Sequence, residues 1–181
     1  MKEIALHIMD IAENGIAAGA DAICISLLKE GEPEVLKITI DDNGKGMAKD
    51  ELRQVSDPFY TSRTTRRVGL GLPLLRQHAE MAGGEFDIRS KQGKGTRVEA
   101  CFQNDHPDKQ PLGDLEGCWI LLATANPGLE WELQLKSPLG NFEITTSEIR
   151  SVMELELISG SALTGQLKRM IRNNIDELGL V

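Results

Sequence analysis

The chain has 181 residues, which is enough for one domain with a real core or one domain with a modest appendage. Its 40% hydrophobic and 27% charged residues exclude collagen-like, disordered and mucin-like classes. Twenty Lys and Arg against 28 Asp and Glu leave a net charge of −8, which excludes a nucleic-acid coat except where cations cluster, as at Arg63, Arg66 and Arg67.

Residues 1–17 predict an amphipathic helix. Ile4, Ala5, Ile8, Met9, Ile11, Ala12 and Ile16 share one broad side, while Glu3, His7, Asp10, Asn14 and Ala17 form a narrow opposite stripe. Gly15 and Gly19 weaken this helix and let something approach closely or the chain turn. Asp21–Leu28 and Val35–Asp41 predict a hairpin around Gly31-Glu32-Pro33, the second strand alternating Leu36, Ile38 and Ile40 with Lys37 and Thr39. Lys49–Val55 predicts a short helix, and Ser56–Val68 a loop without a usable period. Leu70–Met81 predicts a helix that tolerates Pro73 in its first turn and ends at Gly83-Gly84. Phe86–Ser90 and Thr96–Phe102 predict a second hairpin. The stretch Gln103–Pro111 is the best boundary, because two prolines in a charged run neither pair in a sheet nor continue a helix. Beyond it, Cys118–Thr124, Glu130–Lys136 and Asn141–Thr145 predict strands, and Ser161–Leu178 a final helix. The expected organisation is a domain at 1–104, a linker at 105–112 and a small α+β domain at 113–181.

No apolar run approaches about 18 residues and no apolar stretch follows Met1-Lys2, so neither a membrane span nor a secretory leader is expected and the cytoplasm is the default compartment. Cys24, Cys101 and Cys118, an odd number without CxxC spacing, predict buried thiols rather than a disulfide framework or zinc cage.

Three local patterns could carry chemistry. In Asp42-Asn43-Gly44-Lys45-Gly46-Met47, a carboxylate at a strand end beside a glycine turn suits a donor such as the exocyclic amine of adenine, although the same string also serves as a plain hairpin turn or a calcium-loop fragment. In Val68-Gly69-Leu70-Gly71-Leu72-Pro73, glycines at a helix N-terminus free N–H groups for phosphate, or simply form a turn. Neither a GxxxxGK[ST] loop nor a strand–GxGxxG–helix unit is present. On the first helix, Asn14 offers one hard oxygen to Mg²⁺ and Asp10 a carboxylate one turn earlier, unless the stripe is only a solvated face.

Taken in order, Asp10-x-x-x-Asn14, Asp42–Met47, Asp57-Pro58-Phe59-Tyr60-Thr61, Gly69-Leu70-Gly71-Leu72 and Gly93-Lys94-Gly95-Thr96 resemble the GHKL superfamily of gyrase, heat-shock chaperone ATPases, histidine kinases and MutL. The resemblance covers roughly residues 1–103. Residues 57–102 look most like the catalytic domain of a sensor histidine kinase, and Asp10–Leu27 is similar to MutL. It implies an α+β fold, the two-layer Bergerat sandwich of a mixed sheet with helices on one face, and ATP with Mg²⁺ as ligands. It further implies that Asn14 ligates Mg²⁺, Asp42 bonds the adenine amine, Gly44, Gly46 and Met47 flank the base, and Thr96 supports Asp42. Thr61, Gly69, Leu70, Gly71 and Leu72 would face the nucleotide, and Arg63 would neutralise phosphate charge unless that basic loop docks an acidic partner. Asp10 sits where some members carry a catalytic Glu and many kinases an Asn, and is one methylene short of Glu.

The helix bearing Asp10 begins almost at Met1, with no acceptor-histidine module before it. His7 is expected to be a supporting or capping group, and His78 and His106 surface residues. Phosphoryl transfer is therefore expected to go in trans to a partner protein, with a slow ATPase or a non-catalytic nucleotide sensor as the alternatives. A homodimer is compatible with the sequence; nucleic acid and membrane are not expected partners.

Overall fold

A computed structural model describes residues 2–56, 71–152 and 161–181. In chain order the elements are α1 (Ile4–Ala17), β1 (Ala22–Glu30), β2 (Val35–Asp42), α2 (Lys49–Ser56), α3 (Gly71–Met81), β3 (Phe86–Lys91), β4 (Gly95–Gln103), α4 (Leu115–Ala125), β5 (Glu130–Ser137), β6 (Gly140–Thr145), α5 (Thr146–Val152) and α6 (Ser161–Glu177). The strands form one six-stranded sheet in the order β3-β4-β2-β1-β5-β6. All neighbours are antiparallel except β1 and β5, which run parallel, so the sheet is mixed.

Alternation along each strand decides which face is covered. Ile23, Ile25 and Leu27 stand in register with Ile38 and Ile40 on one side and with Trp131, Leu133 and Leu135 on the other, and all are buried. Helices α1, α3 and α4 cover this apolar face, and α6 packs on α4. The opposite face stays partly exposed and carries cross-strand ion pairs such as Arg97–Asp41 at 2.8 Å and Lys37–Glu99 at 3.5 Å. Such exposed pairs contribute at most about 1 kcal/mol each. The result is the expected α+β two-layer sandwich with helices on one face.

Helix α1 buries Ile4, Ala5, Ile8, Ile11 and Ala12 along one stripe. Glu3 does not cap it with its side chain. The N–H groups of Ile4 and Ala5 donate instead to the carbonyls of Pro111 and Leu112, at 3.0 and 2.9 Å. The 105–112 connection therefore closes the start of α1 as it leads the chain toward α4.

Two expectations are corrected. Cys118–Thr124 is not a strand but the body of α4. A short apolar run has no decisive period, and here Asp114 accepts the N–H of Gly117 at 3.0 Å and starts a helix that buries Leu115, Trp119, Leu122 and Ala123. Residues 113–181 also do not build a sheet of their own, because β5 pairs with β1 and continues the first sheet into a shared core. Cys24, Cys101 and Cys118 are free and half-buried. Burial, with Glu132 and Asp41 nearby, pushes the Cys24 thiol up to about 12, so it is an unreactive thiol. Among the described residues no helix is long and apolar enough to cross a membrane.

Candidate functional site

The helix-covered face of the sheet ends at Asp42, the last residue of β2, which pairs across the ladder with Thr96. Burial raises the Asp42 carboxyl above its ordinary range, while the N–H groups of Gly44, at 2.9 Å, and of Thr96 pull it back by donating to it. Its neighbour Asn43 anchors the turn, its Oδ1 accepting from the N–H groups of Asp21 and Ala22 at 2.8 and 2.9 Å. The Lys45 N–H donates to the Ala18 carbonyl at 3.0 Å, which ties the same turn to the end of α1.

Gly46 has φ +61, and a β-carbon there would overlap the Lys91 carbonyl and lie 2.9 Å from that of Gly95. Only glycine lets the turn press so closely on the β3–β4 hairpin. Ser90 completes the join. Its Oγ accepts the Met47 N–H at 2.8 Å, donates to the Gly95 carbonyl at 3.0 Å and bonds Thr96 Oγ1 at 2.9 Å. One hydroxyl thus uses its single proton and both lone pairs to fix two turns together.

A second cluster forms where α1 meets the start of α3. Asp10 Oδ2 is buried without a hydrogen-bond partner among the described residues and lies against Gly71, where a β-carbon would overlap it. The positive end of α3 favours that carboxylate electrostatically. Asn14 follows one turn later, and the next residue, Gly15, is buried close against Asp42. The five steps from Asp10 to Gly15 rise about 7.5 Å along the helix, so α1 links the two clusters.

The other end of the stripe is not solvated. His7 is fully buried, with Nε2 3.0 Å from Gln110 Oε1, and Gln110 Nε2 is 3.2 Å from His78 Nε2. The two rings lie 5.3 Å apart. Burial lowers the His7 pKa and keeps the ring neutral. His78, expected at the surface, is instead half-buried as part of this tie.

The structure therefore brings Asp42, Gly44, Gly46, Met47 and Thr96 together at one cluster, and Asp10, Gly71 and Leu72 at the other, with Asn14 between them. Thr61, Arg63, Gly69 and Leu70, with Arg66 and Arg67, lie outside the described residues. Residues 2–106 match the family described as histidine kinase-, DNA gyrase B-, and HSP90-like ATPase. The chain belongs to this ATPase family. Over 79 residues it is 39% identical to a sensor-like histidine kinase of Rhizobium meliloti, covering 41% of this chain and 15% of that protein. Over 106 residues it is 29% identical to the sensor histidine kinase ZraS of Escherichia coli O157:H7, covering 59% of this chain and 23% of that protein. The chain thus spans less than a quarter of the length of these relatives. Among solved structures, the N-terminal domain of a DNA repair protein superposes with a TM-score of 0.52 at 14% identity, covering 80% of this chain and 52% of that one, a likeness of fold.

Membership of the ATPase family supports ATP binding. Ser90, Asn43 and Ala18 were not singled out from the sequence. Ser90 had a signal: the expected β3–β4 hairpin sets the end of one strand opposite the start of the other, and so Ser90 opposite Thr96. Asn43 and Ala18 act through contacts between the α1–β1 turn and the β2 turn, which no local pattern announces.

Proposed function

We propose that this chain is a cytoplasmic regulatory protein that binds ATP with Mg²⁺ and transfers the γ-phosphate to a partner protein in trans. Asp42 accepts the adenine amine, Gly44, Gly46 and Met47 flank the base, and Ser90 and Thr96 hold that turn in place. The donors present suit Mg²⁺, because Asn14 offers a hard carboxamide oxygen and Mg²⁺ otherwise retains water and phosphate oxygens. When bound, the ion would neutralise phosphate charge. Gly71 and Leu72 open α3 toward the phosphates.

The observation that carries the reading is Asp10 Oδ2, buried without a partner among the described residues at the start of α3 and on the same stripe as Asn14. An unpaired buried carboxylate oxygen is costly, and groups held at such a cost concentrate at functional sites. In the proposed step a hydroxyl or imidazole of the partner attacks the γ-phosphorus and the bond to the ADP oxygen breaks. Asp10 takes the proton of the acceptor.

The Asp10→Asn variant tests this. It is expected to keep ADP affinity while transfer or turnover of γ-labelled ATP falls by about 10²–10⁴. Label appearing only as free phosphate supports the slow-ATPase alternative. Wild type that neither transfers nor hydrolyses with candidate partners present leaves the nucleotide sensor, and a variant that loses binding but keeps turnover makes Asp10 structural.

A further inference from the structure

A cleft of about 630 Å³ lies between the 109–116 connection, the start of α1 and α6, and none of its lining residues belongs to the nucleotide site. Its size falls within the range of small-molecule sites. Three carboxylates, Glu3, Asp114 and Glu116, line it together with three cations, Lys109, Lys168 and Arg172. The buried side chains of Leu112 and Leu180 add apolar lining. With its charges balanced, the cleft suits neither a polyanion nor a polycation.

Half of these charges are closely engaged with other groups. Lys168 pairs with Asp114 at 2.6 Å, Asp114 also accepts the Gly117 N–H, and Lys109 donates to Asn104. Among the other three, Glu116 and Arg172 form only a loose pair. Glu116 is only 5% exposed, yet its Oε2 has no hydrogen-bond partner among the described residues. Its Oε1 reaches the Arg172 guanidinium only at 4.0 Å, beyond hydrogen-bond distance, and Arg172 otherwise meets Asp176 at 3.3 Å. A buried carboxylate and a half-exposed guanidinium thus lie side by side, each with unused hydrogen-bonding capacity.

We infer that this cleft is a second ligand site that takes a small zwitterion, a free α-amino acid, whose ammonium donates to Glu116 and whose carboxylate pairs with Arg172. An α-amino acid carries both groups on one carbon, which matches an acceptor and a donor set next to each other. Its side chain would lie toward Leu112 and Leu180.

The test uses the whole chain without nucleotide, so its outcome is independent of the ATP reading. Each of the 20 common L-amino acids is titrated at millimolar concentration, with amide shifts of residues 109–117 and 168–172 followed by NMR and affinity measured by calorimetry. At least one amino acid is expected to shift these amides. Glu116→Gln and Arg172→Gln are each expected to weaken it roughly tenfold or more. Arg172 is partly exposed, so its variant provides a folded control if the buried Glu116→Gln chain is unstable. The corresponding amine lacking the carboxylate should bind at least tenfold more weakly. The proposal is overturned if no amino acid shifts the cleft amides, if the plain amine binds as well as the amino acid, or if Arg172→Gln leaves affinity unchanged.

Discussion

The two ends of this sheet are held by different forces. Around Asp42 the joints are backbone and hydroxyl hydrogen bonds: Asn43 to Asp21 and Ala22, Lys45 to Ala18, Ser90 to Met47, Gly95 and Thr96. In the α4–β5–β6–α6 part the joints are large apolar side chains, with Leu115, Trp119, Trp131, Leu133, Ile171 and Ile175 fully buried. Apolar packing stabilises through area and tolerates small shifts, whereas a ligand turn depends on atom positions. The C-terminal part should therefore set stability, and the Asp42 end should set affinity.

The largest effect is expected in the apolar region. Leu135→Ala on β5 empties a fully packed position and should cost about 2–5 kcal/mol of global stability, read by chemical denaturation. Leu135 pairs with Leu27, four residues along β1 from the Ile23 that pairs with Asp42, about 13 Å away. ADP affinity of the folded variant should therefore match wild type; a large loss would show that the two regions are one unit.

Ser90→Ala should do the reverse. It leaves the Met47 N–H and the Thr96 hydroxyl short of a partner and should weaken ADP binding by about 1–2 kcal/mol, with a much smaller change in melting temperature than Leu135→Ala. Unchanged ADP affinity would show that the hairpin joint does not serve the turn.

The smallest effect concerns His7, in the tie between α1, α3 and Gln110. Because burial depresses its folded pKa below 6.5, the unfolded chain takes up a proton first on acidification. Stability is thus lost as pH falls through about 6.5, with a slope of at most about 1.4 kcal/mol per pH unit from this one group. His7→Gln should flatten the melting temperature between pH 7 and 5.5. An unchanged slope would assign the acid sensitivity to other groups.

How much was legible in the sequence follows the same division. The strand Val35–Asp41 leading to Asp42, the hairpin whose second strand starts at Thr96 and the stripe carrying Asp10 and Asn14 are local patterns, and each stands within a residue of where it was expected. The α4 segment was misjudged because the seven-residue stretch Cys118–Thr124 reads equally as strand or helix, and the deciding Asp114 cap lies outside it. The parallel pairing of β5 with β1 was not legible, since it joins residues more than 100 positions apart and the charged 105–112 run resembled a domain boundary. The His7–Gln110–His78 tie was hidden for the same reason, being assembled from three distant segments.

The most direct test of the account is calorimetric titration of ADP with Mg²⁺ into wild type and Asp42→Asn. The amide weakens the acceptor offered to the adenine amine, and the account predicts a loss of about 1.5–3 kcal/mol, roughly tenfold to over a hundredfold in affinity, in a variant that melts like wild type. Equal affinity in the two proteins would remove Asp42 from the nucleotide site and contradict the account.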